Sequence, residues 1–179
     1  MSTPVADDSN AGRMADLVAA KAAAELAAAE ELVHGDVPGR GDVPADVLLL
    51  KGVPGADDTA AGGAMAGADG EAADKALVAL HREGSVYRSL TRPDGSWDSS
   101  HARRLRLLIE SVDPDLIIAL DSCAATDCAG VLDIAALAPG APVRAGGRYV
   151  LAVDGLEASL GDPARKRRVW NQLKKAARP

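Results

Sequence analysis

Three apolar runs constrain this chain more than any other feature: ADVLLL (45–50), LIIAL (116–120) and YVLAV (149–153). A strand with one wet face alternates apolar and polar residues. A run without that alternation fits a strand buried on both sides, in a parallel sheet covered by helices. Before, between and after the runs lie stretches of helical character: 14–33, 68–84, 101–112, 123–132 and 162–177. SVYRSL (85–90) adds a shorter strand. The order predicts an α/β fold with a mostly parallel sheet.

The signals at element ends agree with this order. Asp8 or Ser9 can cap the first helix, and Asp98, Ser99 or Ser100 the one over 101–112. Gly84 is placed to end the helix over 68–84, and Asp162 followed by Pro163 is a strong start for the last one. Residues 1–10 are polar and expected to be a disordered tail, 11–33 an Ala-rich helix, and 34–179 the folded domain. The segments 34–44, 51–67 and 133–147 read as loops.

Composition excludes several functions. Phenylalanine is absent and aromatics make up 2%, so the core is aliphatic and no site can rely on several stacked rings, which weakens a reading based on aromatic platforms for single-stranded nucleic acid. With 20 basic and 26 acidic residues the net charge is -6, which gives no bulk attraction to polyanions. Any DNA contact must then come from a local basic patch. Arg165, Lys166, Arg167 and Arg168, with Lys174, Lys175 and Arg178, form one candidate; Arg103, Arg104 and Arg106 form a second. Cys123 and Cys128 make no disulfide framework, and their i, i+5 spacing suits no shared metal. No metal and no cofactor is expected. MSTPVADDSN lacks a signal-peptide pattern and no apolar run reaches membrane-spanning length, so a cytoplasmic protein without membrane contact is expected.

Four stretches in order carry a resemblance: ADVLLLKGVPGADD (45–58), VYRSLTRP (86–93), DPDLIIALDSCAA (113–125) and DPARKRRVWNQLKK (162–175). In this order the chain resembles the uracil-DNA glycosylase superfamily, most closely its iron–sulfur bacterial and archaeal branch. Ala45, Asp46, Val47, Pro54, Gly55, Ala56 and Asp57 match its first motif, and Gly62, Gly67, Gly70, Asp74, Lys75, Ala76 and Leu77 continue it. The resemblance implies a three-layer α/β/α domain in which a base flipped out of DNA enters a pocket at the strand ends. The residues expected to line that pocket are Gly52, Pro54, Gly55, Met65 and Gly67.

The same resemblance implies that the chemistry is gone. The acidic residue of the first motif falls on Gly52, and the ring that stacks on the base falls on Met65. Residues 86–92 hold no Asn to read a base edge, offering only Ser89 and Thr91. The motif His falls near Gly155, in DGLEAS (154–159), and the four cluster cysteines are missing, so no iron–sulfur cluster is expected. Groups that act as a unit are not replaced singly. The expectation is a glycosylase-like protein without base excision, binding a protein partner or DNA. The alternative is a divergent glycosylase or other hydrolase that uses Asp57, Asp58, Asp121 or Asp154. A third reading is an interaction module whose N-terminal helix is the docking element.

Overall fold

The apolar runs are strands, and they lie side by side. The computed structural model describes residues 8–177. In chain order its elements are α1 (Asp8–Glu30), β1 (Arg40–Gly41), β2 (Val47–Lys51), α2 (Ala56–Ala61), α3 (Ala68–Ala79), β3 (Val86–Leu90) and α4 (Ser99–Val112). Then come β4 (Leu116–Ala119), α5 (Ser122–Val131), β5 (Val143–Ala145), β6 (Arg148–Ala152), α6 (Leu156–Ser159), α7 (Pro163–Leu173) and a 3-10 turn over Lys174–Ala176. The sheet runs β1-β3-β2-β4-β6-β5. Its four inner strands are parallel, and β1 and β5 close the edges antiparallel.

Register decides which face each side chain covers. Leu48, Leu50, Ile117, Ala119, Val150 and Ala152 share one face and pack against Leu26 of α1, Leu105, Leu108 and Ile109 of α4, and Cys128 and Val131 of α5. Val47, Leu49, Leu116, Ile118 and Leu151 share the other, against Leu77 of α3, Leu156 of α6, and Val169 and Leu173 of α7. Helices therefore cover both faces, which is why the strand sequences need no polar alternation. Each buried Leu or Ile contributes about 1.5–3 kcal/mol relative to exposure. Among the described residues, no helix is long and apolar enough to cross a membrane.

Several boundaries differ from the sequence reading. Residues 8–10, expected in a tail, form the first turn of α1, while residues 1–7 and Arg178 lie outside the described residues. That helix ends at Glu30 rather than residue 33. Helix α3 stops at Ala79, well before Gly84. His81 takes the left-handed position at φ 53, its amide reaching the Val78 carbonyl and that of Arg82 the Leu77 carbonyl. That two-bond closure ends the helix without glycine. Asp98 and Asp162 cap α4 and α7 as expected, each accepting two backbone N–H bonds. The expected loops also hide α2, β1 and β5, elements too short to show a periodicity.

The connections place a crevice. From β2 the chain reaches β3 through α3 on one face, and from β3 it crosses to β4 through α4 on the other. The loops after β2 and β4 thus part at their carboxyl ends, the position where open α/β sheets bind ligands.

Candidate functional site

At the carboxyl end of β2 stands Lys51, 6% exposed. Its Nζ lies 2.7 Å from Asp58 of α2, 2.8 Å from Asp69 of α3 and 2.9 Å from Glu157 of α6. An ammonium has three donors, and all three are used. Burial works against the charge, but the bonds to Asp58, Asp69 and Glu157 outweigh it and hold the Lys51 pKa above its ordinary value. Asp58 is 1% exposed. Burial alone would raise its pKa, yet Lys51 and the amides of Gly55 and Ala66 pull it below the usual carboxylate range. Those amides lie at 2.8 and 3.0 Å. Asp69 also accepts from the Gly70 amide at 2.8 Å. A charged, saturated lysine is neither nucleophile nor base, and an engaged carboxylate does not activate water.

The neighbouring strand ends are tied down in the same way. Asp121 accepts from the Gly52 amide and, as the cap of α5, from the Ala124 amide, both at 2.8 Å. Beyond β3, Arg92 grips Asp127 of α5 with two bonds of 2.9 and 2.7 Å, and the Thr91 hydroxyl donates to the same carboxylate at 2.6 Å. Backbone bonds extend the parallel ladder past the strands: Thr91 to Lys51, Arg92 to Gly52, Leu120 to Leu50 and Leu156 to Leu120. The Cys123 thiol beside this pair has its pKa raised by burial and by Asp127, with Arg92 opposing. Burial pushes the Cys128 thiol up to about 12. Both are free thiols, and neither is poised as a thiolate nucleophile.

Each residue singled out from sequence has a definite place. A Cβ on Gly52 would meet the Cys123 Cβ at 2.5 Å and Asp121 Oδ1 at 3.0 Å, so no side chain fits there without rearrangement. Met65 is fully buried in the core, at φ 54. The Arg40 guanidinium holds the Ala64 and Met65 carbonyls, and a Cβ on Gly70 would strike the Met65 oxygen at 2.0 Å. The Met65 side chain therefore packs in the core and anchors the loop between α2 and α3. Pro54 is half-buried, Gly55 precedes α2, and Gly67 precedes α3 against the Asp57 side chain.

Of the candidate acids, Asp58 is consumed as the Lys51 partner, and Asp121 has both oxygens engaged. Asp57 is exposed on α2. Asp154 is exposed at the end of β6, accepting from Gln172 Nε2 at 3.0 Å with Arg168 at 3.8 Å. In the basic patches, Arg165, Lys166, Arg167 and Arg168 are all exposed on α7. Arg104 is not: it is fully buried, bound to Glu30 of α1, the Leu90 carbonyl and Ser89. The second patch is therefore reduced to Arg103 and Arg106.

The loops after β2 and β6 do meet. Lys51, Asp69, Asp121, Gly155 and Glu157 line a cavity of about 130 Å³, well below the roughly 300–1,000 Å³ of ordinary ligand pockets. Its walls carry three carboxylates and one ammonium, so it repels anions. Sequence reading missed Lys51, Asp69, Arg92 and Asp127. Lys51 carried a usable signal: a lysine continuing a buried apolar strand needs carboxylate partners. Among the described residues, no three His, Cys, Asp or Glu side chains form a metal-binding group. In comparisons with known proteins, no family model matches the chain and no curated protein matches it.

Proposed function

We propose that the chain is a uracil-DNA-glycosylase-like scaffold that lacks base-excision activity and works as a non-catalytic binding protein. The sheet covered on both faces is compatible with the three-layer α/β/α arrangement of that family. The observation that carries the reading is the packing at Gly52, where the family's acidic side chain has no room beside Cys123 and Asp121. The rest of the strand-end chemistry is spent on holding loops together. The acidic mouth disfavours entry of a phosphate backbone, which makes a protein the better partner. DNA contact would be confined to Arg165, Lys166, Arg167 and Arg168 on α7.

Uracil release from single- and double-stranded DNA tests the loss of activity, with no turnover expected. A gel-shift series at low and rising salt tests the partner: absent binding at low salt favours protein, and salt-sensitive binding favours DNA. The alternative, a carboxylate-dependent hydrolase, rests on Asp57 and Asp154, the candidate acids that remain exposed. Turnover lost in both Asp57→Asn and Asp154→Asn would establish that alternative and refute the main reading.

A further inference from the structure

A wide concavity lies away from the strand ends, on the sheet face that carries α3 and α7. Both of these helices pack on α6, the four-residue helix beneath them. On α3 the row facing α7 is Ala68, Ala72 and Ala76, spaced one helical turn apart, and alanines leave the space between the helices unfilled. The result is an open trough of about 930 Å³. Its floor is Leu156, Val169 and Leu173, all buried, and its walls include the half-buried Leu160 and Trp170.

Charge on the rim is one-sided. Lys75, Lys166 and Arg167 stand there with a single acid, Glu71, which pairs with Lys75 at 3.6 Å. Lys166 and Arg167 are exposed, and neither is paired with a carboxylate among the described residues, although the protein is acidic overall. An apolar floor, one indole and two unpaired cations at one edge select a particular chemistry. We infer that this trough binds a small amphipathic anion: an apolar chain or ring system lying along Trp170 and Leu173, its carboxylate, sulfonate or phosphate held by Lys166 and Arg167. The volume falls in the range of ordinary small-molecule pockets. The inference does not depend on the strand-end reading, since the two sites share only Leu156.

Calorimetric titration of the full chain with dodecanoate, below its micellar concentration, tests this. Dodecyltrimethylammonium, with the same tail and opposite charge, is the control. Saturable binding of one dodecanoate per chain is expected, with much weaker binding of the cation. Lys166→Glu and Arg167→Glu sit on an exposed helix face and should each weaken dodecanoate roughly two- to five-fold. Ala72→Trp fills the trough from the α3 side and should abolish binding. No saturable dodecanoate binding, equal affinity for the two surfactants, or indifference to both charge reversals would each overturn the inference. So would concentration-dependent self-association in sedimentation velocity that Ala72→Trp abolishes, because the occupant would then be a second copy of the chain.

Discussion

The ends of β2 and β3 are neighbours in one sheet, yet they are tied down by different charge arithmetic. At β2, one lysine is shared by three carboxylates from α2, α3 and α6. At β3, one arginine meets one aspartate of α5 in a bidentate pair, and a threonine hydroxyl completes it. The first is a hub, the second a clasp. A hub concentrates risk in its single cation: without Lys51, Asp58 and Asp69 are buried and negative with no countercharge. A clasp has a partial escape, since the Arg92 side chain is 26% exposed and water can take part of its charge. Both spend polar groups on fixing loops, which accounts for the shortage of reactive groups at the strand ends.

The comparison breaks first at Lys51. Lys51→Met is expected to cost about 3–5 kcal/mol, the penalty for stranding buried charge. Tm should fall by roughly 6–20 °C. A urea midpoint close to wild type would show that the hub is not what holds the three helices. Next, Arg92→Ala leaves Asp127 buried with Thr91 alone, and about 2–3 kcal/mol should be lost. Asp127→Asn should cost less, because the freed guanidinium can turn to solvent. The opposite order in chemical denaturation would mean that the clasp behaves like the hub. Asp98→Ala removes a cap that serves two amides of α4, and thermal melts should fall by only a few degrees.

The smallest effect is a pH dependence at the start of α4, where His101 meets the turn before it. Burial opposes protonation of His101, but Asp98 and Asp94, each 2.8 Å away, raise its pKa. Asp94 is held down to about 2, first by the Ser96 amide and then by His101. The His101 contribution is complete below its unfolded value of 6.5 and is lost as pH rises through its higher folded pKa. The Asp94 contribution is complete above 3.8 and is lost as pH falls toward 2. The Tm difference between wild type and His101→Gln should therefore be widest between those limits and shrink on the alkaline side. A constant difference across the series would remove the electrostatic explanation.

The inner strands were legible because burial on both faces leaves an unbroken apolar signature. The caps at Asp98 and Asp162 were legible because capping is local, its donors two or three residues away. The partners of Lys51 were not. A lysine continuing a buried apolar strand signals that carboxylates must meet it, but they come from three separate segments and nothing local names them. Met65 shows the reverse failure. The resemblance places a pocket wall there, whereas the backbone turns the side chain into the core and Arg40, distant in sequence, holds the turn. Asp58 is a candidate acid in the sequence, and its role is set by three donors, Lys51 and the Gly55 and Ala66 amides, that only the fold brings together.

The third of the sequence readings makes helix α1 a docking element, and the two halves of that helix differ. Residues 10–18 are exposed, while Ala22, Leu26 and Ala29 are buried and Glu30 closes over the guanidinium of Arg104. A chain shortened to begin near residue 18 keeps all of this. One that begins at residue 34 loses the buried Ala22, Leu26 and Ala29 and leaves Arg104 without its carboxylate. The second half of α1 is thus a lid on the core, so any stable proteolytic fragment has its N-terminus ahead of Ala22.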